Sequence, residues 1–413
     1  MSHITASGGS DGQATLVGPH HIPPGVQLSR SLVIASVALG TLVASFGTAT
    51  ADPGPHVTSV RNTHICAAAT AGSAACSAIR HDLVDANGKP VHSATPSGYG
   101  PADIQSAYVL GGGAGQTVAI VDAYNDPTAE ADLGVYRSQY GLPACTTANG
   151  CFKKVGQTGT STLPTTNTGW AQEISLDLDM VSAACPGCHI LLVEASSASF
   201  ANLGTAVNTA AATPGVVAIS NSYGGGDQAE TAAYNHPGIA ITASTGDSGY
   251  GVQSPASFPH VIAVGGTSLT KVSSTYSQSA WSGAGSGCSS INAKPVWQTS
   301  ATSCSGKANA DVSAVADPNT GVAVYDSTPN QGVSGWLVFG GTSASSPIIA
   351  SAYALGGNHG LSYPAQWTWS QTAGLTDVTT GSNGTCPTSV WCQAALGWDG
   401  PTGLGTPIGA TAF

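Results

Sequence analysis

Five short runs of uninterrupted apolar residues constrain this chain most: Thr117–Val121 (TVAIV), Ile190–Val193 (ILLV), Val216–Ser220 (VVAIS), Ile239–Ala243 (IAITA) and Val261–Val264 (VIAV). Each is too short for a helix and lacks the alternation of a half-solvated strand, so each reads as a strand covered on both faces. Between them lie helix-length segments, Asp126–Gln139, Ala171–Ala184 and Phe200–Ala212. Strands alternating with helices predict an α/β fold, a mainly parallel sheet with helices on both faces. The glycine run 111–115 precedes the TVAIV strand instead of following one, which fits a turn and not a dinucleotide-binding loop.

The chain has 413 residues, 41% of them hydrophobic, enough for a large buried core. Its 54 Gly and 24 Pro mark a loop-rich protein without reaching the roughly 25–30% typical of disorder. Charged residues make up only 8%, against about 25% in an ordinary domain. So few ionisable groups accumulate little self-repulsion at low pH, which fits an acidic working environment. A net charge of −11 with no cluster of Lys or Arg excludes nucleic acid as a partner.

Ser31–Phe46 is apolar, follows Arg30 and leads to Ala49-Thr50-Ala51, an A-x-A cleavage pattern. It is shorter than the roughly 20 residues a bilayer span needs. Residues 1–51 therefore read as a signal peptide region cut before Asp52, and the product as secreted, extracellular and without stable membrane association. Ten cysteines taken in chain order form five short-range pairs, as suits disulfides in an exported protein. Spacing leaves the connectivity open. Cys185-Pro-Gly-Cys188 also resembles a redox or zinc half-site, but no second CxxC or spaced His pair accompanies it. Residues 52–95 are polar and irregular and read as a short pro-segment, and the pattern changes beyond Pro96.

Three segments carry candidate chemistry. In Gly340-Gly-Thr-Ser343-Ala-Ser-Ser-Pro347, a serine follows a glycine turn and opens a helix, whose positive N-terminus would bear on its hydroxyl. Pro347 is expected in the first turn of that helix, where a missing N–H costs nothing. In Glu173-Ile-Ser-Leu-Asp177, two carboxyls four residues apart share one face of an apolar helix. Such a pair is often surface decoration; buried, it raises one pKa and lets one group hold a proton while the other stays ionised. In Thr245-Gly246-Asp247-Ser248-Gly249, an Asp ends an apolar strand, where open α/β sheets place functional groups.

Together and in this order, the segments resemble the sedolisin family of serine-carboxyl peptidases, whose fold is subtilisin-like. Glu173 and Asp177 match the family's E-x-x-x-D helix, Asp247 its strand-end Asp, and Gly340–Pro347 its nucleophile turn. The match runs across most of 99–407 and includes Ala310–Pro318. The resemblance implies one peptidase domain, 96–413, acting on polypeptides, with Ser343 as nucleophile and Glu173 as general base. It further implies that Asp177 orients Glu173 and that a protonated Asp247 serves the oxyanion hole with the Ser343 N–H. Asp122, ending the TVAIV strand, looks like the strand-end Asp of a Ser-His-Asp triad, but no His-Gly-Thr helix follows it.

The resemblance also implies Ca2+ near the C-terminus, held by Asp377 and Asp399 with the carbonyls of Val378, Ala395 and Gly397, a hard-cation ligand set. Ala395 stands where relatives often have Gly. The short pro-segment and the Cys386–Cys392 insertion depart from the family pattern. The reading is an acid-acting, monomeric endopeptidase; a tripeptidyl-peptidase of the same family and a catalytically silent secreted binding protein are the alternatives.

Overall fold

The apolar runs are central strands because nothing but a sheet interior hides a stretch with no polar side. The computed structural model describes residues 57–91 and 93–413; the apolar run Ser31–Phe46 and the A-x-A site lie outside the described residues. Among the described residues, the main sheet has eight strands. Seven run in the order Thr275–Ala280, Ile262–Val272, Ala240–Ser244, Val216–Asn221, Thr117–Ala123, His189–Ala195, Phe152–Gly156, and Val312–Val315 also pairs with Ile262–Val272. All neighbours are parallel except the antiparallel Ile262–Val272 and Thr275–Ala280 pair. Val118, Ala119 and Ile120 at its centre are fully buried.

Helices α1 (Pro101–Tyr108), α2 (Ala129–Gln139), α3 (Thr168–Ala184), α4 (Phe200–Ala212) and α5 (Thr342–Gly356) cover this sheet on both faces. α3 and α5 pack on each other; α3 lies on Thr117–Ala123 and α5 on Val216–Asn221 and Ala240–Ser244. α4 rests on Thr117–Ala123, His189–Ala195 and Val216–Asn221. α3 begins at Thr168, three residues before the sequence-based expectation. The cause is Asn167, whose side chain accepts the N–H groups of Gly169 and Trp170 at 3.1 and 3.2 Å.

The segment read from sequence as irregular is ordered. Ser59–His64 and Ile79–Val84 pair antiparallel, and the second strand also pairs with Val333–Gly340, beyond which lies Val322–Asn330. Polarity hid this because the inward positions include an ion pair. Arg80 is buried, with Nε 2.6 Å from Asp82 Oδ1 and Nη1 2.9 Å from Gln172 Oε1 on α3. The described residues fall within one unit, Pro53–Phe413. Five disulfides join cysteines in chain order, 66–76, 145–151, 185–188, 288–304 and 386–392, so Cys185 and Cys188 are bonded to each other.

Candidate active site

Every residue from Gly169 to Ala184 is buried, so α3 has no solvated face on which to place its acids. Glu173 and Asp177 therefore project into the interior, both fully buried. Neither oxygen of Glu173 has a hydrogen-bond partner, while Asp177 Oδ1 accepts the Ser222 hydroxyl at 2.8 Å. Burial, then the neighbouring Asp177 and Asp122, push the Glu173 carboxyl well above its ordinary range. Asp177 is raised by burial and by Asp122, with Ser222 pulling the other way.

Asp122 thus belongs to this cluster, where sequence reasoning had weighed it only as a partner for an absent histidine. It stands at the end of its strand in register with Glu194 of His189–Ala195. Both its oxygens are buried and unpaired, and burial plus Glu194 raise it to about 8. The strand-end position was the available signal. Lys154 reaches Glu194 at 3.1 Å but none of the other three. Carboxyls massed in this way hold protons between them instead of all ionising.

Ser343 is the second residue of α5, after a turn at Gly341 with φ of 91°. Its Oγ donates to the Ser222 carbonyl at 3.1 Å. It lies close enough to Glu173 to favour that group's ionised form, yet its proton is turned away from it. Pro347 lies inside α5, not in its first turn. Its missing N–H frees the Ser343 carbonyl from the helix ladder, and the Ser222 hydroxyl approaches that carbonyl at 3.3 Å. One hydroxyl thereby spans Asp177 and the backbone of Ser343.

Asp247 follows Ala240–Ser244 through Gly246, whose φ is 101°. Its Oδ1 accepts both the N–H and the Oγ1 hydroxyl of Thr342 at 2.8 Å. Its Oδ2 is buried and unpaired. Burial raises the group to about 7 against the lowering by Thr342. A Cβ added at Gly341 would lie 2.7 Å from this Oδ2 and 2.0 Å from the Ser77 carbonyl oxygen, so the two oxygens border one small space. The same Ser77 oxygen accepts the Ser343 N–H at 3.1 Å.

Ser77 arrives there as part of an extended stretch. Ala75 and Cys76 pair antiparallel with Gly224 and Tyr223, and the Ser77 N–H donates to the Ser222 carbonyl at 3.1 Å. A cavity of about 370 Å³ beside it is bordered by His64, Cys66, Asp247, Ser248 and Gln253. A cavity of about 600 Å³ between Leu83, Tyr99 and Trp336 touches none of these acids, so its size does not mark the chemistry.

The C-terminal residues also converge. Asp377 Oδ2 accepts the Gly397 N–H at 2.8 Å, while its Oδ1 is buried without a partner. Asp399 accepts Ala395 N–H through Oδ2 at 3.1 Å and Thr402 through Oδ1. Burial raises Asp399 to about 7, with Asp377 adding to the rise and the Ala395 and Thr402 hydrogen bonds opposing it. Val378 is buried beside this pair in sequence. Gly397 takes φ of 87°, whereas Ala395 is not among the residues of positive φ, so its side chain imposes no strain. Two carboxyls and an orphaned oxygen fit a hard cation completed by backbone carbonyls. Among the described residues no group of three or more His, Cys, Asp or Glu gathers as a metal site.

No family model matches the chain. Kumamolisin of Bacillus sp. (strain MN-32) is 31% identical over 364 residues, covering 77% of this chain and 63% of kumamolisin. Sedolisin of Pseudomonas sp. (strain 101) is 33% identical over 177 residues, 38% of this chain and 29% of that protein. Xanthomonalisin of Xanthomonas sp. (strain T-22) is 31% identical over 183 residues, 38% of this chain and 21% of its own length. The chain thus spans under two thirds of each curated relative. A solved structure of Pseudomonas sedolisin, a serine-carboxyl proteinase complexed with pseudo-iodotyrostatin, superposes with a TM-score of 0.64 at 26% identity, covering 76% of this chain and 97% of that one. With the paired acids on α3, the strand-end Asp247 and the serine opening α5 arranged around one point, the chain belongs to the sedolisin family.

Proposed function

We propose that the chain is a secreted, acid-acting serine-carboxyl endopeptidase that hydrolyses polypeptides through an acyl-enzyme. The observation that carries this reading is the pairing pattern of Asp247. One oxygen takes both Thr342 donors, leaving the other unpaired at the same small space as a backbone carbonyl that accepts the Ser343 N–H. A carboxyl in that position donates to an oxyanion only when protonated, and as a carboxylate it repels one.

Ser343 attacks the scissile carbonyl, and its proton passes to Glu173, which acts as the base when the proton the cluster holds rests on Asp177 or Asp122 instead. Asp177 shares protons with Glu173, and Ser222 ties Asp177 to the nucleophile's backbone. An endopeptidase is favoured over a tripeptidyl-peptidase because the held carbonyl has chain running on from both sides, Ala75–Cys76 before it and Ile79–Val84 after it. Asp377 and Asp399, with carbonyls of Val378, Ala395 and Gly397, would hold Ca2+, which supplies loop stability away from the reacting atoms. Five disulfides support the secreted reading.

A pH–rate profile on casein tests the proposal. Activity is expected at acid pH, falling as pH rises through about 7 where Asp247 ionises, with the loss of such a donor worth roughly 10²–10³ in rate. Ser343→Ala and Glu173→Gln are expected to abolish turnover while keeping the circular dichroism spectrum. A profile climbing toward pH 8, or an active Ser343→Ala protein, overturns it.

A further inference from the structure

A carboxyl that must offer a proton to an oxyanion needs that proton on one particular oxygen. Asp247 can carry it on either, so its neighbours decide. Thr342 is fully buried at the first position of α5 and meets Asp247 Oδ1 twice, through its N–H and its Oγ1, each at 2.8 Å. The same Oγ1 accepts the Gly246 N–H at 3.1 Å. An amide N–H can only donate, so the hydroxyl is an acceptor toward Gly246 and its one proton is left for Asp247. Two donors aimed at Oδ1 make it the carbonyl oxygen of the acid. The acid proton is left to Oδ2, which is buried, unpaired and borders the space beside the Ser77 oxygen. The Thr342 methyl group packs over Gly266, where an added Cβ would lie 3.3 Å from it, so the side chain has little freedom to turn its hydroxyl elsewhere.

We infer that the Thr342 hydroxyl is the positioning group of the oxyanion carboxyl: it confines the Asp247 proton to Oδ2 and sets the upper pH limit of turnover. The inference rests on the proposed peptidase mechanism and adds a residue and a direction to it. The hydroxyl has two opposed effects. By aiming the proton it favours turnover in acid. Burial raises Asp247, and the Thr342 N–H and hydroxyl pull it back by stabilising the carboxylate, so the same bond brings forward the pH at which the donor is lost. Without the hydroxyl, turnover should be slower in acid and persist to higher pH. Glu173 on α3 and His64 across the cavity are the titratable groups that face Asp247. Segments 75–78 and 281–287 and the first two turns of α5 carry no free ionisable side chain.

Full-length Thr342→Val and Thr342→Ser proteins are compared with wild type for initial rates on fluorescein-labelled casein across acid and neutral pH, with melting curves beside them. Val keeps the shape and the N–H bond but lacks the hydroxyl; Ser keeps the hydroxyl. Thr342→Val is expected to lower kcat in acid about 10-fold and to move the neutral limb up by about half a pH unit or more. Thr342→Ser is expected to restore both. A neutral limb that stays in place in Thr342→Val overturns the inference however far kcat falls, because a role in holding the start of the helix lowers activity without moving that limb. A limb moved equally in Thr342→Ser overturns it too. Should Thr342→Val not fold, Thr342→Ala removes the same hydroxyl with less bulk and is read in the same way. Acid-confined wild-type turnover with an unmoved limb in the variant removes the inference alone, whereas no wild-type turnover at any pH removes the proposed function along with it.

Discussion

Gly341 shows how little room the proposed oxyanion position leaves. Its φ of 91° already disfavours a side chain, and a Cβ would press into the space between the Ser77 oxygen and Asp247 Oδ2. Backbone strain alone costs about 1 kcal/mol for Ala at positive φ. Gly341→Ala is therefore expected to lower kcat at least 10²-fold while leaving a folded protein. Steady-state kinetics alongside a melting curve checks this, and near-normal kcat would refute it. The residues that could be read in the sequence were those whose chemistry is local: an acid pair four apart, an Asp at a strand end, a serine after glycines. Ser222 escaped because it acts through its carbonyl and a hydroxyl that meets residues 45 and 121 positions away in the chain. Pro347 was placed in the wrong turn because the helix opens at Thr342, before the serine expected to start it, and the effect of Pro347 is on the Ser343 carbonyl, not on helix initiation.

Elements follow the same division. α4 spans the expected residues, and the central strands sit where the apolar runs are, since continuous burial leaves a continuous apolar record. α3 was legible in position but not in environment, because a helix buried all round shows no stripe to mark the face that meets the sheet. Ser59–His64 and Ile79–Val84 were missed because their pairing lies with each other and with Val333–Gly340, more than 240 residues on in the chain. The two C-terminal loops bearing Asp377 and Asp399 meet through the Gly397 N–H on Asp377, while Asp399 takes the Ala395 N–H within its own loop. On the proposed calcium site, chelation by EDTA is expected to lower the melting temperature and Ca2+ to restore it. An unchanged melting curve would remove the ion from these loops.

At the level of the whole molecule, the carboxyls set the pH dependence of stability. Asp122 and Asp326 are raised to about 8, Asp247 and Glu194 to about 7, and Asp126 to about 6, all chiefly by burial. Each keeps its proton in the folded state at pH values where the unfolded chain has lost it. Folding stability from these groups is thus fully present below about pH 4 and is lost as pH rises toward about 8. Melting temperatures are expected to be higher at pH 4 than at pH 8, and the reverse order would contradict the buried, protonated state of the cluster. The low charge content gave an expectation of acid tolerance that this comparison of melting temperatures tests; the raised carboxyls come from four separate stretches of chain and had no linear signature.

The disulfides bear on a different property. Their partners are 10, 6, 3, 16 and 6 residues apart, so none ties distant regions of the fold together. Loop-closure entropy grows with loop length, about 3 kcal/mol for 15 residues against about 4.7 for 100. Thiols would accordingly loosen local loops before they threatened the sheet. Of the five bridges, Cys66–Cys76 is the one that borders the cleft next to Asp247, so its reduction is the one expected to loosen the wall of that cleft.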